Sequence, residues 1–263
     1  MEVHAHSSPA PGGTHTARKK WTHYFWEFLM LFLAVFCGFL AEYKLEQMIE
    51  RHREHQFAES LSNDLKADIK HLNSIIEHRV TRQIMLDSLM LLLNTADNKN
   101  MRNSIYYQAI QVSRRNPVLF TPNNGTMQQL KNSGGLRLIS KRAIADSIAK
   151  YDVSTRNMET FDQIESKAFE DYRIAAAKIF NSLEFEKMLD QNNQASRPVN
   201  NPVLLSYSNA DLDEINFKIH RMKFNNRGSK RDAQRLLKQA ENFLSVLKKA
   251  YHLSASQRTP LEK

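Results

Sequence analysis

Residues 28–41 read FLMLFLAVFCGFLA and contain no charged side chain. They lie within the 21 residues that separate Lys20 from Glu42. Because an α-helix rises about 1.5 Å per residue, a helix over these residues is roughly 31 Å long, which matches the hydrocarbon core of a bilayer at about 30 Å. The sequence therefore predicts a transmembrane helix over residues 21–41.

The residues around this stretch support a membrane span. Trp21 and Trp26 at one end and Tyr43 at the other place amphipathic rings where interfacial aromatic belts form. The strongly apolar residues of the stretch favour insertion by roughly 3 to 5 kcal/mol. Glu27 opposes insertion by about 3 kcal/mol at mid-bilayer, but it lies near the basic end, so we interpret it as an interfacial carboxylate.

Three alternatives to a retained span are a cleaved signal peptide, a lipoprotein and a buried core helix. A basic segment followed by an apolar one is also typical of a signal peptide. Signal cleavage requires small residues at spaced positions, and Phe39 stands where one is needed. Lipidation of Cys37 would normally follow a small residue, and here Phe36 precedes it. These departures favour the retained span.

The orientation of the span is predicted from its flanking charges. Basic residues are nearly balanced, with Arg18, Lys19 and Lys20 before the span and Lys44, Arg51 and Arg53 after it. Long domains translocate largely regardless of charge, whereas short basic tails stay inside. We therefore predict a single-pass protein with a cytoplasmic N-terminus and, in a bacterial inner membrane, a periplasmic large domain.

Composition points to helices in the rest of the chain. Seven Gly and seven Pro among 263 residues are too few for a turn-rich β protein. The single cysteine, Cys37, lies in the predicted span, so an intramolecular disulfide and a thiolate zinc site are excluded. We predict a disordered basic tail with histidines at 1–20, an extramembrane helical domain at 42–253, and a disordered tail at 254–263.

The apolar pattern after the span predicts one long helix that continues to about Leu93. Its apolar residues recur at threes, fours or their sums: Leu45, Ile49, Phe57, Leu61, Leu65, Ile69, Leu72, Ile76, Val80 and Ile84. Such a stripe needs a partner, either another part of this chain or a second copy. A second, shorter helix is predicted over residues 104–114.

The later elements follow from turn and cap residues. A short helix around Leu130 should stop at Gly134, which can adopt the positive φ of a helix C-cap. Ser140 is predicted to cap a second long helix that runs to about Leu183. After a loop with two prolines, Asp211 and Glu214 have the capping-box spacing for a helix that ends near residue 224.

We predict a turn at residues 225–228 and a last helix from Ser229. The fold class predicted is all-α, with a single transmembrane helix continuous with a long extramembrane helix, followed by a folded-back antiparallel helical bundle.

The chain is basic, with 37 Lys and Arg against 28 Asp and Glu and a formal net charge of +9. Most cations, including Arg79 and Arg82, alternate with acids and are interpreted as a solvated helix face. We predict that the densest cluster of cations is a surface for an anionic partner, and we call it the basic patch. Its residues are Arg221, Lys223, Arg227, Lys230, Arg231, Arg235 and Lys238.

No catalytic, cofactor or metal signature emerges from the sequence, and we predict that the protein is not an enzyme. His52 and His55, and likewise His71 and His78, lack the spacing of a metalloprotease motif and are interpreted as surface residues. Glu165, Glu170 and Asp171 are interpreted as a solvated face. The glycines near residues 125 and 134 lack the Lys-Ser/Thr ending of a phosphate loop.

A resemblance to a known family rests on four segments. They are the start MEVHAH, the span EFLMLFLAVFCGFLAEY, the turn QLKNSGGLRLI, and the later residues Ile148 to Tyr151. The chain resembles a family of uncharacterised bacterial single-span inner-membrane proteins with a His-containing N-terminal tail and a helical C-terminal domain. The resemblance covers the span and the central turn well and the C-terminal third loosely. It implies an inner-membrane location and offers no catalytic residues.

These observations favour a membrane-anchored helical interaction or scaffold protein. Its expected partners are the lipid bilayer and either a second copy or another membrane or envelope protein. One alternative is a ligand-binding helical domain of the sensor type. Another is a binder of anionic lipid or nucleic acid through the basic patch, although nucleic acid is not favoured because it requires a cytoplasmic domain. No cofactor is expected.

Overall fold

A computed structural model describes residues 21–95, 99–115 and 117–253 of the chain. These residues form α1 (Trp21–Leu93), α2 (Arg102–Arg114), α3 (Gly125–Asn132), a 3-10 turn (Gly135–Leu138), α4 (Arg142–Ile179), α5 (Ser182–Lys187) and α6 (Asn209–Tyr251). The described part of the chain is all-α, which confirms the predicted fold class. The predicted tails at 1–20 and 254–263 lie outside the described residues.

Helix α1 is continuous over 73 residues, as predicted from the absence of breakers. Near its N-terminus, a window of 18 residues has a mean hydropathy of 2.0, and none of that window is buried. The helix is therefore long and apolar enough to cross a membrane.

The chain divides into two compact units, Met1–His52 and Arg53–Lys263. In the described part of the first unit, nearly every side chain is exposed. Rings along this part of α1 stack on one another, with Phe32 between Phe28 and Phe36 at centroid distances of 6.3 and 5.8 Å.

In the second unit, α4 runs parallel to α1 and α6 runs antiparallel to both. Glu54 of α1 contacts Ser140, just before α4, and Arg79 contacts Glu165 farther along both helices. The order reverses on α6, where Tyr251 reaches Glu54 and Asn226 reaches Arg79. The predicted antiparallel packing therefore describes α6, while the segment from α2 to the 3-10 turn returns the chain so that α4 can run parallel to α1.

The buried face of α1 follows a heptad spacing. From Glu54 to Leu93, all of its buried residues except Ser62 alternate in steps of four and three: Glu54, Ala58, Leu61, Leu65, Asp68, Leu72, Ile75, Arg79, Arg82, Leu86, Leu89 and Leu93. This 3.5-residue repeat is the seam of coiled-coil packing. The predicted stripe was right at Leu61, Leu65 and Leu72. It was wrong at Val80 and Ile84, which are 40% and 61% exposed. Arginines occupy the buried positions there.

Two apolar clusters fill the second unit. One contains Leu86, Tyr106, Phe169 and Ile219, and the other contains Leu65, Leu130, Ile148 and Phe243. Between them, each of the three long helices contributes two buried polar side chains. We call this set the polar layer: Arg79 and Arg82 of α1, Asp162 and Glu165 of α4, and Asn226 and Ser229 of α6.

Helix α6 is continuous where the sequence predicted a turn, so the turn at 225–228 was wrong. Asn226 and Ser229 are buried at heptad positions, so the buried seam continues from Met222 through both of them to Ala233. Tertiary packing therefore outweighs the poor helix propensity of Asn and Gly. Burying one continuous seam stabilises the protein more than a turn at this point would.

The cap of α6 also differs from the prediction. Ser208 is the N-cap, and its Oγ accepts a hydrogen bond from the Asp211 amide at 3.1 Å. The Asp211 carboxylate accepts hydrogen bonds from the hydroxyls of Ser208 and Ser206, both at 2.6 Å. The N-cap is therefore Ser208, and Asp211 is the third residue of the helix, where a capping box has its acidic residue.

The glycine stop after α3 is confirmed. Helix α3 ends at Asn132, and Gly134 has φ of +67°, the left-handed conformation that glycine adopts at little cost. Helix α4 ends at Ile179, earlier than predicted, because Asn181 opens α5 by accepting a hydrogen bond from the Leu183 amide at 3.0 Å. The prediction that Ser140 caps α4 was wrong, because α4 has no side-chain cap of its own.

Candidate functional site

Carboxylates of α1 hold the start of α3 and of α4. Asp64 accepts a hydrogen bond from the Thr126 amide at 3.2 Å, in the first turn of α3. Glu54 accepts hydrogen bonds from the amide and hydroxyl of Ser140 at 2.8 and 3.0 Å, just before α4. Neither helix has a side-chain cap from its own preceding residue. Helix α1 thus supplies these contacts from far away in sequence.

Two buried tyrosines also donate hydrogen bonds to carboxylates of α1. Tyr151 donates to Asp68 at 2.7 Å, and Tyr251 donates to Glu54 at 2.5 Å. Burial, reinforced by the neighbouring carboxylate, raises the pKa of both hydroxyls above the usual tyrosine value. Both hydroxyls are therefore protonated donors at neutral pH, and their role is to hold the helices together.

The centre of the polar layer is an ion pair between Arg79 and Glu165. Nη1 of Arg79 donates to both carboxylate oxygens, at 2.8 and 2.6 Å, and both side chains are only 2% exposed. Asp162 lies 3.5 Å from Nη2 of the same arginine. The interpretation of Arg79, Arg82 and Glu165 as a solvated face was therefore wrong. Mutual neutralisation makes burial of the Arg79–Glu165 pair tolerable.

Asp162 is held beside this pair by the backbone. Its Oδ2 accepts a hydrogen bond from the Phe120 amide at 2.9 Å, which ties the segment before α3 to α4. Burial raises the pKa of Asp162 to about 6, against opposing contributions from the Phe120 amide and Arg79. The charge of this carboxyl group therefore changes within a mildly acidic pH range.

Arg82 is buried without a carboxylate of its own. Its Nη1 donates to the Arg115 carbonyl at 2.7 Å, and its guanidinium lies 5.3 Å from the centroid of the Phe169 ring. Its Nε and Nη2 have no hydrogen-bond partner among the described residues. Burial lowers the pKa of Arg82, and the charge of Glu165 partly offsets this effect. The group remains cationic at neutral pH, because an arginine pKa is far above 7.

A cavity of about 270 Å³ lies against these arginines. It is lined by His78, Arg79, Arg82, Arg115 and Val118. Three arginines therefore line one cavity, and we call it the arginine cavity. Positive charge, hydrogen-bond donors and an apolar wall suit it to an anion rather than to a cation.

The predicted basic patch is partly neutralised by carboxylates. Arg221 contacts Asp171 at 3.2 Å, Lys223 contacts Asp87 at 2.7 Å, and Arg235 contacts Asp232 at 3.2 Å. The remaining cations have no ion pair within the described ranges: Arg227, Lys230, Arg231 and Lys238. All seven lie on α6, and the role of the patch stays a prediction.

The histidines and acidic groups do not converge on a metal site. No group of three or more His, Cys, Asp or Glu among the described residues is arranged to hold a metal ion. His55 contacts Glu59 at 3.4 Å on the exposed side of α1, and the His71 ring lies 5.6 Å from the Phe120 ring.

The arginine cavity was missed by sequence reasoning, which counted only apolar residues. The steps of four and three through Leu65, Leu72 and Ile75 lead directly to Arg79 and Arg82. Extending the heptad through polar residues would have placed both arginines on the buried face.

No family model, no curated protein and no solved structure matches this chain.

Proposed function

We propose that the protein is a membrane-anchored helical interaction protein, held in a bacterial inner membrane by the first part of α1. The observation that carries this proposal is an apolar window with a mean hydropathy of 2.0, none of it buried, in a helix that continues into a packed bundle. Apolar surface of this extent is rarely left in water, and a bilayer is the solvent that suits it.

Exposed apolar side chains on the bundle support the interaction role. Ile84 and Leu91 on α1 and Phe217 and Phe224 on α6 are 61% to 70% exposed. Each pair is seven residues apart and so shares one helix face. We propose that a second copy of the chain covers these faces, since anchoring in one membrane raises the effective concentration of copies.

The anchor is tested by washing membranes that contain the full chain with alkaline carbonate. We expect the chain to stay in the membrane fraction. Replacing Leu31 and Phe36 by arginine adds about 3 kcal/mol each to the cost of insertion and should release it. As the matched control, arginine at Leu91 and Phe217 should leave the chain in the membrane. Release of the unmodified chain contradicts the anchor.

The interaction is tested by photocrosslinking two differently tagged copies. A crosslinker at Phe217 or Phe224 should join the two tags, and one at Glu241, exposed on the same helix, should not. Crosslinks that join only other proteins, or none, contradict self-association. The proposed orientation is tested by a reporter after Lys263, and activity of a reporter that works only in the cytoplasm contradicts it.

A further inference from the structure

One end of the bundle of α1, α4 and α6 carries a cluster of cations. The contacts of Glu54 with Ser140 and Tyr251 mark this end, because they join the packed part of α1 to the start of α4 and the end of α6. We give the name basic end to the cations of the second unit that lie within three residues of these contacts. They are Arg53, Arg137, Lys141, Arg142, Lys248 and Lys249.

Nearby carboxylates do not balance the charge of the basic end. The one acid of the second unit within the same distance is Glu54, which is buried and already accepts hydrogen bonds from two hydroxyls. Glu59 and Asp146 are exposed about one turn farther along, and Glu59 contacts His55. None of the six cations forms an ion pair with a described residue. Such a surface suits an anionic partner.

Contacts within the bundle account for only part of this charge. Lys141 lies 4.3 Å from the centroid of the Tyr251 ring, so it ties the start of α4 to the end of α6. Lys249 lies in the last turn of α6, where a cation stabilises the helix dipole. Arg142 is the first residue of α4, where a cation opposes that dipole, and Arg53 is exposed. The fold therefore gives no reason for the charges of Arg53 and Arg142.

We propose that the basic end binds the headgroups of anionic phospholipids in the membrane that holds α1, an inference that rests on the proposed anchor. Ala41 and Arg53 are 12 positions apart on one continuous helix, a distance of about 18 Å. Between them, Leu45, Met48 and Ile49 are 44% to 68% exposed. Burying these apolar side chains in the membrane interface brings the basic end still closer to the headgroups.

The anchor favours a lipid over a soluble anion. Attraction between a basic side chain and an anionic membrane falls off within a Debye length, and the anchor keeps the basic end near that surface at all times. Residues 42–52 do not supply this attraction, since they contain three acids and two Lys or Arg. Arg53, Arg142 and Lys249 come from three different helices, so their charges are spread over the end of the bundle, as a layer of headgroups requires.

The test measures how close the basic end lies to the headgroups. The full chain carries Cys37→Ala, so that a fluorophore can be attached at one new cysteine. It is placed in nanodiscs of phosphatidylcholine, alone or with phosphatidylglycerol in a two-to-one ratio, that contain a lipid whose spin-labelled headgroup quenches nearby fluorophores. At Ala143→Cys, exposed beside Arg142, we expect about threefold more quenching with phosphatidylglycerol. High salt should remove the difference.

Matched controls locate the effect. A fluorophore at Ala177→Cys, exposed at the other end of the same helix, should be quenched equally in both nanodiscs. Combining Arg53→Gln, Arg142→Gln and Lys249→Gln should abolish the dependence on phosphatidylglycerol at position 143. Combining Arg227→Gln, Lys230→Gln and Arg231→Gln removes the same charge from the basic patch and should leave that dependence unchanged.

Several results overturn the inference. They are equal quenching in both nanodiscs at position 143, a dependence on phosphatidylglycerol that the variant of the basic end keeps, or one that the variant of the basic patch also loses. Abolition of the dependence by free glycerol phosphate would overturn it by showing a site for a soluble anion. A chain that enters neither nanodisc contradicts the anchor as well, whereas equal quenching of an inserted chain contradicts headgroup binding alone. If circular dichroism shows that the variant of the basic end does not fold, the lipid and salt comparisons with unmodified charges decide.

Discussion

Nη1 of Arg79 donates to both carboxylate oxygens of Glu165, although the two residues are 86 positions apart in sequence. The pair lies in the polar layer, between the two apolar clusters. A buried ion pair adds little net stability, because desolvation offsets the attraction between the charges. We interpret it as a register device, since a slip of α4 along α1 would leave both charges buried and unpaired.

Glu165→Gln should lower the free energy of unfolding by about 3 to 5 kcal/mol, because it leaves Arg79 buried without its counterion. The double variant Arg79→Met with Glu165→Met should recover most of that loss, since it removes both charges. Urea unfolding of the full chain in detergent micelles, followed by circular dichroism, measures both. If the single and double variants are equally destabilised, the interpretation as a neutralised pair is wrong.

Asp162 should make stability depend on pH. Its folded pKa of about 6 lies above the ordinary value of 3.8, so the folded state binds this proton more tightly than the unfolded state does. Its contribution is therefore fully present below pH 4 and is lost as the pH rises towards 6. The shift corresponds to about 3 kcal/mol as an order of magnitude.

Asp162→Asn should abolish this dependence, because the amide oxygen can still accept from the Phe120 amide but does not titrate. The stability of the variant minus that of the unmodified protein should rise between pH 4 and 6 and then level off. Unfolding free energies at a series of pH values give this difference. A difference that is constant across the range contradicts the raised pKa.

Asp68 should be the most sensitive of the α1 carboxylates that hold the middle segment. It accepts hydrogen bonds from the amide and side chain of Asn123 at 2.7 and 2.9 Å and from Tyr151. Asp68→Ala leaves the buried Tyr151 hydroxyl unsatisfied and should cost about 3 kcal/mol of unfolding free energy. Glu77→Ala, an exposed acid on the same helix, should change it by less than about 0.5 kcal/mol. Equal effects would mean that Asp68 is not a structural clamp.

The two glycines Gly134 and Gly228 should respond to alanine in opposite directions. Nothing lies within 4 Å of a Cβ added at Gly228, which is helical, so Gly228→Ala should stabilise the protein by about 1 kcal/mol. Gly134 has positive φ, so Gly134→Ala should destabilise it by about 1 to 2 kcal/mol. Thermal unfolding measures both. Destabilisation by Gly228→Ala would favour the turn predicted from sequence over a continuous α6.

Much of the architecture could be predicted from local signals. The absence of Gly and Pro after Gly38 predicted the 73-residue helix, and Gly134 predicted the end of α3. Local signals gave wrong predictions where contacts with residues distant in sequence determine the structure. Ser140 has the chemistry of a cap, but Glu54 uses its amide and hydroxyl instead.

The arginine cavity was not predicted from the sequence for a related reason. An arginine on a helix is usually solvated, and only its partners on other elements make burial tolerable. Arg79 needs Glu165, and Arg82 lies over Phe169, from a helix that begins far downstream. The apolar pattern cannot reveal which cation has such partners. A heptad count that keeps polar residues can indicate it.

The hydrogen bond between Glu54 and Tyr251 joins residues 197 apart in sequence. During translation Tyr251 follows Glu54 only after all of α4 and nearly all of α6 have been made. This contact therefore forms late, whereas the Arg79–Glu165 pair becomes available much sooner. Until Tyr251 is made, Ser140 is the remaining partner of the Glu54 carboxylate.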